Sequence, residues 1–357
     1  SYRIMPKNSK VYFNKNEILN LIDSRRVKDK NYPQLLDRYE KAFLKGYNTS
    51  VLSIDNDVDN QIFSIIQSLV SHIQSVEIQD IFNPPDLPNP SEITRSNALK
   101  LQYAASDFWF ENHREVDLQI WARTCLIKGD FFGFLRIDPK SDYPLKYDML
   151  DPSEVILASD SIDNIQNQPW IARQLTTNIS NLKRFVKNYF SNDKERIDKI
   201  YQHLALLEPS ATITLYDFWS KVEGGQNTLL TSGGVEIYSK PWPFNYLNLY
   251  PFFQYKDIPI LKRSRSISTV SMLIALQERF GKETRQIREN AEYVGNPPIV
   301  VDVESGIDIN KIEGRPRLIV RKYKEGDFKI ERVPSLPAYV QLSLIHISEP
   351  TRPLYIS

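Results

Sequence analysis

Cysteine is almost missing from this chain: Cys125 is the only one in 357 residues. An intrachain disulfide is excluded, and a reducing compartment is expected. Histidine is scarce too. His72, His113 and His203 have neither a cysteine nor a second histidine at ligand spacing, so they read as surface or cap residues and no metal is expected. No apolar run approaches the roughly 20 residues of a membrane helix. No secretory signal precedes Ser1, so the glycosylation patterns at Asn48 and Asn178 read as chance. Charge of one sign is missing as well: 45 basic against 44 acidic residues leave a net +1. That balance argues against a densely basic, sequence-specific DNA reader. It leaves room for a conduit through which a duplex slides, because each neutralised phosphate adds salt-dependent affinity that would hold the duplex still.

Chemistry-bearing motifs are equally sparse. Gly281-Lys282-Glu283-Thr284 lacks the upstream glycine and the Ser or Thr directly after Lys that a phosphate loop requires, and it falls inside a helical pattern. The glycines at 224, 225, 233 and 234 have no adjacent lysine. Asp55, Asp57 and Asp59 start like a calcium loop, but Asn60 replaces the turn glycine and Ile66 the bidentate glutamate, so they read as an acidic cap for the next helix. No nucleophile elbow or nucleophile–base pair stands out, and acids such as Asp142 and Asp148 pair by chance. No catalytic residue and no cofactor is expected.

What is present is grouped helices and antiparallel hairpins, which predicts an α+β fold. Residues 1–48 suggest two short polar helices, NEILNLIDSRR and YPQLLDRYEKAFLKGY. A helix over 60–75 follows, then the proline-broken PPDLPNPSE, which starts another near Ser91 or Glu92. Asn112 and Glu115 suggest a capping pair for a helix over 114–128, closed by Gly129, with Val116, Ile120, Thr124 and Ile127 on its buried face. Strands are expected at 131–138, 146–150, 154–159 and 170–177, then helices at about 178–190 and 195–206. Strands at 212–219 and 235–240 would flank a glycine-rich hairpin tip, and WPFNYLNLYPFFQYKDIP reads as an extended packed segment.

The most informative stretch runs from Asp257 to Val340. The proline-broken DIPILKRSRS leads into a helix from about Ile267 to Tyr293, stopped by GNPP. Leu273, Phe280, Ile287 and Val294 recur every seven residues as one narrow seam, widened by Leu276 and Ala275 at its start. At about 1.5 Å per residue such a helix is roughly 40 Å long. A narrow seam on a long charged helix suggests packing against neighbouring helices. A compact charged β unit spans about 299–333, and PSLPAYVQ resembles the run-in to another helix.

That order resembles the stem, clip and returning helix of tailed-bacteriophage portal proteins. The resemblance covers roughly residues 60–341. It includes Leu150-Asp151-Pro152-Ser153-Glu154-Val155 with Asp160 after it, the segment Tyr255–Leu261, and Gln277 shortly into the helix. It implies a homo-oligomeric ring, usually of twelve copies, at one capsid vertex of the virion, through which double-stranded DNA is packaged, retained and ejected. It implies as partners a terminase motor, scaffold and major capsid protein, head-completion or adaptor proteins, and DNA held without sequence preference. The corresponding domains are an N-terminal helical arm (1–59), an α+β wing (60–260), a stem helix (261–296), a β clip (297–335) and the start of a returning helix (336–341). Lys262, Arg263, Arg265, Arg279, Lys282, Arg285 and Arg288 outnumber Glu278 and Glu283 and become candidates to meet DNA phosphates in a channel. Lys311, Arg315, Arg317, Arg321, Lys322 and Lys324, nearly balanced by acids, become candidates for motor docking. The rivals are a virion structural or adaptor protein without a channel, and a metal-dependent nuclease. LSLIHISEPTRPLYIS (342–357) resembles a translated sequencing adapter, and Ser1 stands where a Met would start a gene, so the natural protein is expected to extend past both ends.

Overall fold

The computed structural model describes residues 13–45, 47–48, 53–54, 60–75, 91–112, 114–137, 144–190, 193–204, 208, 210–222, 225–242, 247–295, 299–302, 319–322 and 329–330. The elements in chain order are α1 (Lys15–Lys28), α2 (Tyr32–Phe43), β1 (Tyr47–Asn48), β2 (Ser53–Ile54), α3 (Gln61–Ser75), α4 (Glu92–Glu111) and α5 (Arg114–Lys128). They continue with β3 (Asp130–Ile137), β4 (Leu145–Leu150), β5 (Val155–Leu157), β6 (Trp170–Asn178), α6 (Ile179–Tyr189), α7 (Lys194–Leu204), β7 (Thr212–Ser220), β8 (Gln226–Thr231) and β9 (Glu236–Pro241). Then come β10 (Phe252–Lys256), α8 (Thr269–Gly295), β11 (Ile299–Asp302), β12 (Ile319–Lys322) and β13 (Lys329–Ile330). The fold is α+β, and its sheets are antiparallel except for one parallel pair, β11 with β12.

The chain divides into two compact units: residues 1–41 with 66–271, and residues 42–65 with 272–357. The first helix of the expected arm therefore belongs with the larger unit, whereas residues 42–65 group with α8.

In the first unit a five-stranded meander, β5-β6-β7-β8-β9, carries helices on both faces. Alternation along β7 decides which residue faces which layer. Leu215 packs with Leu229 and Ile237 against Ile179, Leu182 and Val186 of α6 and Ile200 and Leu204 of α7. Tyr216 and Phe218 point the other way and pack with Trp170, Ala172 and Leu230 against Ile18 and Ile22 of α1. A second sheet, β10-β3-β4, shares a core with β5 and β6 through Phe132, Phe134, Phe252, Val155, Leu157 and Ile171. Gly133 faces Phe253 across the β3–β10 pair, and a Cβ there would sit 1.9 Å from the Phe253 ring, so glycine leaves the place that the ring fills.

Three expectations need correction. The segment between 219 and 235 is not one hairpin tip: β8 runs through it as a central strand, buried at every position. Its polar residues hid it, yet they are satisfied inside. Gln226 bonds to Phe13, Thr228 and Ser239, and Asn227 bonds to Asp217 and Phe218. The aromatic segment before α8 is extended and packed as expected where Phe252–Lys256 pairs with β3. Asn112 caps the C-terminus of α4, its Nδ2 donating to the Phe108 carbonyl at 2.7 Å, rather than the start of α5. The buried face of α5 is Trp121, Ala122, Leu126 and Ile127, because that face meets β3; Val116 and Ile120 are exposed. Gly129 does close α5, at φ 88° with its N–H on the Cys125 carbonyl at 2.7 Å.

The second unit contains the β1–β2 pair, most of α8, and the three-stranded sheet β12-β11-β13. In that sheet β11 lies centrally, parallel to β12 and antiparallel to β13. Along α8, Ile274, Gln277 and Phe280 are buried and Leu273 and Ile287 half-buried, so the seam is real in its middle. Ala275, Leu276 and Val294 are exposed, which corrects the expected widening and the seam's far end.

Candidate functional site

The seven expected channel cations fall in both units, and each group is described within its own. In the first unit, Lys262 and Arg263 are exposed in the turn that precedes α8. Lys262 adopts φ 57°, a left-handed turn conformation, and the Arg263 carbonyl accepts from Lys256 Nζ at 2.9 Å. Arg265 is different. It is half-buried, its Nη2 donates to the Val155 carbonyl at 2.6 Å, and its guanidinium lies 4.6 Å from the Tyr32 ring centre and 4.9 Å from that of Phe132. Its charge is built into the wall of the unit rather than displayed with the other two.

In the second unit, Arg279, Lys282, Arg285 and Arg288 are all exposed on α8. The three-residue steps carry Arg279, Lys282 and Arg285 around the side away from Gln277 and Phe280. Arg279 pairs with Glu283 one turn on, Nε to Oε1 at 2.8 Å, the arginine exposed and the glutamate largely covered. Cations in such an arrangement can meet phosphates, and nothing in it reads base edges. Of the six docking candidates, Arg321 and Lys322 lie in β12, and Lys311, Arg315, Arg317 and Lys324 lie outside the described residues. So do Asp55, Asp57 and Asp59, and the segments from 331 on.

The residues that carried the family resemblance act as anchors. Asp151 Oδ1 accepts from the Ser153 N–H at 2.9 Å and hydroxyl at 2.7 Å, and its other oxygen bonds Lys128, which also reaches Glu40 at 3.2 Å. Burial alone would raise the Asp151 carboxyl, but Lys128 and Ser153 outweigh it and hold it below the usual carboxylate range. Asp160 bonds Arg25 and accepts from the Ser264 N–H through its carbonyl at 2.8 Å. Gln277, buried on α8, accepts from the Gln61 and Ile62 N–H groups at 2.9 and 3.3 Å. Beside it, Asn60 Nδ2 donates to the Phe43 and Lys45 carbonyls at 2.7 and 2.9 Å, and its Oδ1 accepts from the Phe63 N–H. One amide side chain from α8 and one from the chain before α3 thus satisfy the open ends of α2 and α3. Replacing Gln277 by Ala is expected to cost about 1–3 kcal/mol. Hydrogen exchange should accelerate at the Gln61 and Ile62 amides; unchanged rates there would show that the contact carries no weight.

Among the described residues, no group of His, Cys, Asp and Glu could hold a metal ion, and no helix is long and apolar enough to cross a membrane. Cys125 is no nucleophile either. Burial, with Asp257 and Asp130 adding to it, pushes its thiol up to about 12. At pH 8 the thiolate is then roughly one part in ten thousand. A thiol reagent is expected to label the native chain at least tenfold more slowly than the urea-unfolded one; equal rates would contradict the burial.

Sequence reasoning missed a cavity of about 660 Å³ in the first unit, walled partly by Arg26, Lys30, Tyr32 and Arg265. The sequence suggests only two short polar helices over residues 1–48 and singles out no site there. Exposed apolar residues of α4 also went unremarked, and Val116 and Ile120 of α5 were expected to be buried. On α4 and the start of α5, Ile93, Leu99, Leu101, Tyr103, Phe110, Val116 and Ile120 are exposed, Phe110 to 80%. No protein-family model matches the chain, and no curated protein matches it significantly.

Proposed function

We propose that this chain is a subunit of a viral portal ring, the channel through which double-stranded DNA is packaged, retained and released at one capsid vertex. The observation that carries the reading is the order of elements. A mixed α+β body is followed by a 27-residue helix and then by a small three-stranded sheet. In this reading the helix is the stem, the sheet the clip and the α+β body the wing.

Three further features support it. The cations Arg279, Lys282, Arg285 and Arg288 lie on exposed positions of the long helix, where copies arranged around a bore would present rings of charge to phosphates. A near-neutral chain suits a duplex that must slide. Head-to-tail contact between copies in a closed ring would cover exposed apolar residues of α4 and α5 such as Leu99, Tyr103 and Phe110. The chain's work is then mechanical, and the energy for packaging comes from a separate motor that docks on the clip.

Electron microscopy of the intact natural gene product tests this directly. Closed rings with a central channel wide enough for a duplex are expected, and substituting Arg279, Lys282 and Arg285 together by Gln should leave the rings intact while lowering DNA retention. A compact monomer at micromolar concentration would end the proposal. Rings without a channel would shift the reading to a different head or adaptor component.

A further inference from the structure

A second cavity of the first unit, about 350 Å³, lies where α3, α4, α5 and β10 meet. Trp109, Trp121 and Tyr255 give it aromatic walls, and Cys125, Lys256 and Asp257 contribute its polar lining. The Trp109 and Trp121 rings stand 5.8 Å apart at 63°, and the Tyr255 ring lies 6.1 Å from Trp121 at 21°. Trp121 is buried and Tyr255 exposed, so the cavity runs from solvent toward the core. Its volume lies within the range of ligand pockets, about 300–1,000 Å³.

The charge around its polar lining has one sign. Beyond burial, Asp257 and Asp130 both push the Cys125 thiol up, so the field at that sulfur is negative. Lys256 does not offset it, because its ammonium donates to the Asp163 and Arg263 carbonyls at 2.6 and 2.9 Å. Arg123, also on α5, donates from Nη2 to Gln67 Oε1 of α3 at 3.2 Å. Asp130 already has partners: Arg265 acts on its charge, and its oxygens accept from Gln254 Nε2 at 2.9 Å and the Ser266 N–H at 3.3 Å. Asp257 is the carboxylate that the cavity wall itself carries. Its Oδ2 accepts from the Thr269 N–H at 2.5 Å. Burial raises its carboxyl above the usual carboxylate range, the Thr269 bond offsets that only in part, and no cation is among the groups that act on it. A half-buried carboxylate beside aromatic walls is thus left with one backbone donor and no counter-charge.

We propose that this cavity binds a small organic ammonium ion, its charged nitrogen on the Asp257 carboxylate and its apolar body against Trp109, Trp121 and Tyr255. An ammonium supplies both the donor and the positive charge that Asp257 lacks, and a charge-assisted hydrogen bond is the stronger kind. Aromatic rings attract an organic cation through their quadrupole, which aliphatic walls do not. An anion would meet the negative field, and a neutral molecule would leave the carboxylate without a counter-charge. Bound there, the ligand would join α4 and α5 to β10 and to the segment between Asp257 and Thr269 that leads into α8. The site stands apart from the ring reading and does not depend on it.

The test is titration of the intact chain with phenethylammonium, phenethyl alcohol or hydrocinnamate at neutral pH and matched ionic strength. Binding is read by tryptophan fluorescence and by the rate at which a thiol reagent labels Cys125, the chain's only cysteine. Phenethylammonium is expected to change the fluorescence saturably and to slow Cys125 labelling with the same midpoint. Phenethyl alcohol should bind at least about tenfold more weakly, and hydrocinnamate should not bind. Asp257→Asn keeps an oxygen for the Thr269 N–H and removes the charge. It should bring phenethylammonium down to the affinity of the alcohol and leave the alcohol unchanged. No saturable change with phenethylammonium, or saturation that leaves Cys125 labelling untouched, overturns the site. Equal binding of the ammonium and the alcohol by the parent, a comparison that needs no variant to fold, overturns the choice of a cation.

Discussion

Replacing Asp217 by Ala is expected to remove about 3–5 kcal/mol of unfolding free energy in a urea titration. Asp217 is 4% exposed and occupies the middle of β7, facing Arg173 of β6 across the sheet. The Arg173 guanidinium lies 3.5 Å from Asp217, 3.6 Å from Asp148 and 4.2 Å from the Phe134 ring centre. Asn227 Nδ2 donates to Asp217 Oδ1 at 2.8 Å. Without the carboxylate, a buried cation and a buried amide both lose their partner, and Asp148, partly exposed, can answer only one of them. The double variant Asp217→Leu/Arg173→Met should recover most of the loss, because removing both charges removes the uncompensated one. The pair also sets a pH slope. Burial pushes the Asp217 carboxyl above the usual carboxylate range, and Arg173 pulls it back only in part. The native state then binds this proton more tightly than the unfolded chain does. The contribution favours folding at acid pH and is lost as pH rises through the elevated value. The parent should show that slope and Asp217→Ala should lack it. A loss under about 1 kcal/mol would mean that Arg173 reaches water once freed.

Phe252→Ala is the second large effect, again about 3–5 kcal/mol. Phe252 is 1% exposed, opposite Phe134 in the β10–β3 ladder, with the two rings 4.9 Å apart and Trp219 at 6.3 Å. It belongs to the one core that joins the smaller sheet to β5 and β6. Truncation leaves a void against β3 and β6, which are each hydrogen-bonded to a strand on both sides, and such a site collapses poorly. Leu261→Ala is the matched control. That side chain is 80% exposed in the turn before α8, and its loss should stay within about 0.5 kcal/mol. Comparable losses for the two would show that the core cluster does not govern stability.

Elements with a clean period were legible from the residues alone. α6 and α7 show apolar positions at helical spacing and stand within a residue or two of where they were expected; β6 and β7 do the same at strand spacing. α8 was legible because GNPP stops it, and Gly129 because a helix end needs a left-handed residue. β8 was not, because period-2 reading assumes that polar means exposed. Gln226, Asn227, Thr228 and Thr231 are buried through partners outside the strand: the distant Phe13, Asp217 and Ser239 on the neighbouring strands, and Val235 across the turn. The face of α5 was misjudged in part for a related reason: Ile127 is buried as expected, but Val116 and Ile120 are as apolar as Leu126, and only the position of β3 selects between them.

The candidate site divides the same way. The sequence by itself determined that α8 is long, narrowly apolar and studded with cations, that the chain has almost no net charge, and that its one cysteine cannot pair with another in the same chain. Those properties follow from residue type and local spacing. Tertiary structure alone decided that Arg265 is locked into an aromatic cleft while Lys262 and Arg263 stay in water, that Gln277 closes the start of a helix more than 200 residues earlier, and that Arg26, Lys30, Tyr32 and Arg265 line one cavity. The physical reason is that burial and hydrogen-bond partnership are set by which distant segments meet, and no local pattern along a strand or helix carries that information.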